Sequence, residues 1–291
     1  MADLLQLTLN GLALGSIYAL VALGFVLVYE STGVVNFATG EFVMVGTFLG
    51  VATVLQAGLP LAPAYALTLL AMAGFGVLFY GVVYLPLQRR SIVTVIIGTV
   101  AAGIIMHNTA LLVWGSFPFR LPSPFPGALV GIGRSVVPLH SIAVIAVTAL
   151  LILGLYLLLF RTALGSAMRA VAQDTEVARL MGIRVDALLV LTWALAAVLA
   201  AVAGLLLGPI WFADVNMGGP VALKAFAATI IGGFGSVPGA ILGGIFVGLT
   251  EILGASYVSS TYKDGFSFLL MVLFLLLRPQ GIFGERIAER G

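Results

Sequence analysis

The feature that most constrains this chain is a succession of long stretches with no charged side chain. Leu4–Tyr29 runs for 26 residues, Ser91–Phe119 for 29, Ser135–Phe160 for 26, Ala187–Ala213 for 27 and Ala225–Thr250 for 26. About 20 apolar residues, each rising 1.5 Å along a helix, cross the hydrocarbon core of a bilayer. Each stretch is therefore of spanning length. Phe42–Gln88, at 47 residues, is too long for one span, and Gly58-Leu59-Pro60 offers the break within it. Gly265–Leu277 has only 13, so the last segment is short or recruits polar residues upstream. The runs predict about eight membrane segments. Composition closes the alternatives: 62% of residues are hydrophobic and 8% charged, against about 45–50% apolar and about 25% charged in soluble domains. So few charges cannot wet a soluble surface. The runs are continuous, where a porin-type barrel would alternate in short segments. An all-α polytopic membrane bundle satisfies every backbone amide in lipid, and residues 1–291 are expected to form one such domain.

A net charge of +2 gives no reason to expect nucleic acid; the arginines matter by position. Arg89 and Arg90 follow a span, Arg161, Arg169, Arg179 and Arg184 share one loop, and Arg278, Arg286 and Arg290 come last. Basic residues collect on the cytoplasmic side, and two crossings separate the first cluster from the second. The 161–186 loop is then cytoplasmic, and the 116–138 segment, with five prolines, is extracytoplasmic. Arg120, Arg134, Lys224 and Lys263 are expected outside or near the interface. The first apolar run has no basic region before it and leads into further spans, so it reads as a retained helix. The side on which it starts is undecided, because Asp3 has little orienting weight.

Glycine is abundant, at 36 residues, and several fall four apart: Gly11/Gly15, Gly204/Gly208, Gly239/Gly243 and Gly244/Gly248. That spacing lets helix backbones approach closely in lipid. The stretch from Gly232 to Gly239 holds four glycines and a proline, too many to sustain a helix. It is either a tight loop or the unwound centre of a discontinuous helix, as transporters use at substrate sites; the second is favoured.

Catalytic inventory is nearly absent. There is no cysteine, no Gly-Lys-Ser or Gly-Lys-Thr, and no His-Glu-x-x-His. Thiolate chemistry, a P-loop and a zincin site are thereby excluded. His107 and His140 are far apart without a carboxylate near them in sequence, so packed or interfacial roles are expected. No enzyme activity, metal or cofactor is expected of the chain. Charges within apolar stretches are the positive signs, because an ionised group inside lipid costs about 2.5–3.5 kcal/mol and should face a polar cavity or a partner. Glu41 is either such a pathway group or an interfacial residue, Lys224 is a second candidate, and Glu251 is expected to reach water near a segment end. In the loop, Asp174 can N-cap a short helix with Glu176 in its first turn and Gly182 ending it; Asp186 can cap the next membrane helix. A basic, two-part helical loop suits docking onto a partner protein or lying on anionic lipid.

Four stretches together resemble the LivH-type permeases, membrane subunits of bacterial ABC importers for branched-chain amino acids. They are Asn36-Phe37-Ala38-Thr39-Gly40-Glu41, the loop Arg169–Asp174 with Ala178–Ile183, Gly232–Ala240, and Arg278–Gly284. The family usually has histidine where Thr39 stands. The resemblance implies an inner-membrane importer subunit with three kinds of partner besides the lipid bilayer itself. These are a second, LivM-like permease, two cytoplasmic ATPases and a periplasmic substrate-binding protein. It implies a coupling helix near Asp174–Gly182, with Arg169, Asp174, Glu176, Ala178, Arg179 and Gly182 as ATPase-coupling residues and Ala178 on the docking face. Asn36, Thr39, Glu41, Lys224, Gly233, Gly235 and Ser236 are the pathway candidates. Similar subunits carry urea or amides. The rival class is an ion-coupled secondary transporter, with Glu41 as the ion site and a second broken helix matching the first.

Overall fold

The computed structural model describes residues 2–132 and 135–283; Arg134, Gly284, Arg286 and Arg290 lie outside the described residues. The chain is helical almost throughout. In order come α1 (Ala2–Thr32), α2 (Thr39–Val51) with a π-helical turn at Ala52–Gln56, and α3 (Leu61–Phe79). A π-helical turn at Tyr80–Tyr84 leads to α4 (Leu85–Leu87), then α5 (Ile92–Trp114). A small hairpin, β1 (Leu129–Ile132) and β2 (Ser135–Pro138), precedes α6 (Leu139–Arg161). Then follow α7 (Ala163–Gln173), α8 (Thr175–Leu180), α9 (Val185–Trp211), α10 (Gly218–Gly232), α11 (Val237–Tyr257) and α12 (Lys263–Leu277). Among the described residues, eight segments are long and apolar enough to cross a membrane. The break expected at Gly58-Leu59-Pro60 is present, between the first π turn and α3.

Helix α1 lies at the centre, packed on α9, α10 and α11, and its residues from Ile17 to Val28 are buried on every side. A helix apolar all round is a core helix, and here glycine lets it be enclosed. A side chain added at Gly15 would meet the backbone of Ile245 at 2.7 Å, and Gly244 lies equally tight on Ala19. Gly244 and Gly248 of α11 are therefore the seam against α1, as small residues at a lipid-embedded interface should be.

The helix ends sort into two faces. Asn10 accepts a hydrogen bond from the Ser141 hydroxyl at 3.2 Å, which places the start of α1 beside the start of α6. Phe119 and Ala213 exchange backbone hydrogen bonds at the same, proline-rich end. The opposite end gathers the close of α1, the turn after α4 with Arg89 and Arg90, and the loop helices α7 and α8. Arginine clusters at 89–90 and 161–184 thus share one face, with the 116–138 segment on the other.

One expectation is corrected here. The stretch from Gly232 to Gly239 is a tight turn, not the centre of a broken helix. Gly239 lies on Gly232 and Gly243 on Ala228, so α10 and α11 run antiparallel from it. Positive φ at Gly233 (109°) and Gly235 (83°) makes the reversal, and the Ser236 hydroxyl caps α11 by accepting from the Gly239 amide at 3.1 Å. The chain's last described residues lock onto this turn, with the amides of Ile282 and Phe283 donating to the carbonyls of Ile231 and Gly232 at 2.9 and 2.8 Å. The interrupted element lies elsewhere, between α1 and α2. After Thr32 the chain turns back into the bundle, and α2 begins beside Gly24 of α1, Ala196 of α9 and Gly103 of α5. Gly103 is about three turns, roughly 16 Å, from the start of α5, near half the thickness of a hydrocarbon core of about 30 Å.

Candidate functional site

The residues before α2 fold by local hydrogen bonding that needs no neighbour. Asn36 Oδ1 accepts from the Ala38 amide at 3.1 Å, and the Thr39 hydroxyl donates back to the Asn36 carbonyl at 2.7 Å. Thr39, standing where histidine is usual, thus closes its own turn. The Phe37 amide donates to the Thr99 hydroxyl of α5 at 3.3 Å. No side chain caps α2, and Glu41 follows in its first turn. The Glu41 carboxylate comes within 4.0 Å of His107 Nδ1, too far for a hydrogen bond, and Glu41 Oε2 is buried without a hydrogen-bond partner among the described residues. The Asn36 amide nitrogen is likewise buried and unpaired there. Beside them Phe37 is 41% exposed, and Asn108 is exposed further along the α5 surface. A polar face at this depth is unsuited to lipid.

His107 is the residue that sequence reasoning missed. It sits 66 positions from Glu41, and only the packing of α2 on α5 brings them together. His140, by contrast, is the packed histidine expected. Its ring lies 3.2 Å from the Ser123 hydroxyl and 3.0 Å from the Leu206 carbonyl, joining the proline-rich segment to α9.

The seven pathway candidates do not form one group. Asn36, Thr39 and Glu41 cluster at the start of α2. Gly233, Gly235 and Ser236 form the turn at the arginine-rich end, where Gly235 and Ser236 line a cavity of about 720 Å³ with Tyr29, Glu30 and Arg169. Lys224 stands apart from both. It is 1% exposed, and its Nζ lies 2.7 Å from Glu251 Oε1 and 2.6 Å from Asp264 Oδ1. Tyr18 donates to the other Glu251 oxygen at 2.8 Å. Lys224 is therefore enclosed and ion-paired, with its partner Asp264 half exposed at the start of α12, and Glu251 does not reach water. Together they pin α12 to α10, α11 and α1.

In the loop, Asp174 Oδ1 accepts from the amides of Glu176 and Val177 at 2.9 and 3.0 Å, capping α8. Gly182 ends it with φ of 82°. Arg169 leaves the loop surface, donating to the Leu159 carbonyl at 2.7 Å and lying over the Phe160 ring, which holds α7 to the end of α6. Asp186 is not the cap of α9. Arg184 occupies that position, and Asp186 in the first turn accepts from Arg179 at 3.0 Å. The expected docking face is also corrected. Ala178 is 3% exposed and turns inward, whereas Leu180 and Met181 are 87% and 77% exposed.

Eight membrane-crossing segments, a helix break with polar groups at mid-bundle, and an apolar-faced helix held beyond the membrane helices define a multi-pass membrane permease. The chain belongs to the family described as branched-chain amino acid transport system / permease component, whose model matches residues 7–275. It is similar to the high-affinity branched-chain amino acid transport system permease protein BraD of Pseudomonas aeruginosa, with 36% identity over 98% of this chain and 97% of that protein. The corresponding LivH of Escherichia coli K12 is 35% identical over the same shares. A probable LivH of Methanocaldococcus jannaschii is 31% identical over 92% of this chain and 89% of its own length.

Proposed function

We propose that this chain forms one half of the membrane pathway of an ATP-driven importer for branched-chain amino acids in a bacterial inner membrane. The observation that carries the proposal is helix α8. Exposed large apolar side chains are ordinary where helices meet lipid, but Leu180 and Met181 sit on a loop beyond the membrane helices, on the arginine-rich face assigned to the cytoplasm. An apolar patch held there by a capped helix serves to seat a partner. That partner is one of two cytoplasmic ATPases. Hydrolysis belongs to them, since this chain has no Gly-Lys-Ser or Gly-Lys-Thr and acts as a pathway rather than an enzyme. A second, LivM-like permease completes the pathway, and a periplasmic binding protein delivers the amino acid.

Leu180→Asp tests the proposal. It places a charge in the docking patch without touching the packed bundle. ATP-driven leucine uptake should fall by about tenfold or more, the scale of one desolvated charge, and less ATPase should co-purify while permease levels hold. Ala178→Trp is a poor test, because it would overpack this chain's own core. Undiminished uptake and ATPase recovery with Leu180→Asp would overturn the docking role and leave α8 a lipid-surface helix.

A further inference from the structure

A branched-chain amino acid presents an ammonium group and an apolar side chain, and both need a place inside the bundle. Two carboxylates within the bundle, Glu251 and Glu41, differ in how they are satisfied. Glu251 has Lys224 and Tyr18 at hydrogen-bond distance. Glu41, near mid-membrane, has an oxygen with no hydrogen bond and a histidine held off at 4.0 Å. A permanent partner would have closed that gap as Lys224 does. A carboxylate left open at such depth is matched to a cation that comes and goes.

Aromatic rings continue from this point. Phe37 lies 5.8 Å from Phe226, Phe226 lies 5.7 Å from Phe234, and Phe234 lies 4.6 Å from Tyr29, centroid to centroid. Phe37 is exposed and the other three rings are half-buried, so each keeps an open part. The series descends α10 to the 720 Å³ cavity, where Glu30 waits with Tyr29 and Phe234. An acid at the top, an aromatic rail and an acid at the bottom suit a small ammonium-bearing molecule with an apolar side chain.

We infer that this series is the translocation track, in which Glu41 takes the ammonium of the transported amino acid while its apolar side chain passes along Phe37, Phe226 and Phe234 toward Glu30. The inference rests on the importer role proposed above. The second permease faces this track across the pathway and shields it from lipid.

The test uses the assembled importer in proteoliposomes and reads leucine uptake and binding-protein-stimulated ATP hydrolysis side by side. Glu41→Gln should lower uptake by about tenfold or more while stimulated hydrolysis stays within about twofold, and Glu41→Asp should recover part of the loss. Uptake of Glu41→Gln within about twofold of the parent would overturn the inference. So would joint loss of uptake and hydrolysis with no recovery by Glu41→Asp, which marks a structural role. Should the Gln variant not assemble, Phe226→Cys serves, since this chain has no native cysteine. A small thiol reagent should then block uptake in that variant but not in the parent, with leucine protecting, and absence of block overturns the track. If the parent assembly shows no ATP-driven uptake at all, it is the importer role that fails.

Discussion

Glu41 and Lys224 look alike in the sequence, each a charge set in an apolar stretch, and the structure gives them opposite lives. The partners of Lys224 lie 27 residues away at Glu251 and further on at Asp264, so no local pattern could reveal that its charge is already matched. Separation in sequence, here 66 positions, likewise hid His107 from Glu41. What was legible at this scale was local: the Asp174 cap and the Gly182 stop both follow from side-chain chemistry within a few residues. The buried pair makes a sharp prediction. Lys224→Met strands Glu251 in the core, and breaking such a pair from one side costs about 3–5 kcal/mol. The variant should therefore melt well below the parent in detergent, as followed by thermal unfolding. Lys224→Met with Glu251→Gln removes both charges and should recover much of the loss.

Among the elements, spans were readable because charge-free runs are a direct consequence of the bilayer, and the glycine spacings proved to be a real seam. The location of the helix break was not readable. Gly232–Gly239 has the composition of an unwound segment, yet the same glycines make a reversal in which two helices touch. The true interruption, before α2, lacks a glycine cluster because Asn36 and Thr39 build it with side-chain hydrogen bonds. Two motifs that read as separate signatures are also one joint, since the residues after Arg278 hydrogen-bond to the α10–α11 turn. The α1–α11 seam predicts its own failure. A side chain at Gly248 would run into the backbone of Gly15, and overpacking costs about 1–3 kcal/mol. Gly248→Val should lower the melting temperature, whereas Gly219→Val, with open space around it, should not.

For the whole molecule, the arginine clusters and the proline-rich segment fall on opposite faces, and α1 starts on the proline-rich one, a point that Asp3 alone could not decide. In the proposed importer this arrangement would turn α8 toward the cytoplasm and the open polar face of α2 and α5 toward a second permease, so that energy and substrate would meet the chain at different places. The central claim is that ATP, not an ion gradient, drives transport through it. The direct measurement is leucine uptake into proteoliposomes holding this chain with its second permease and ATPases, with binding protein outside. Uptake should require ATP inside and binding protein outside, and should persist when ionophores collapse every ion gradient. Uptake without ATP that follows an imposed proton or sodium gradient would contradict the account.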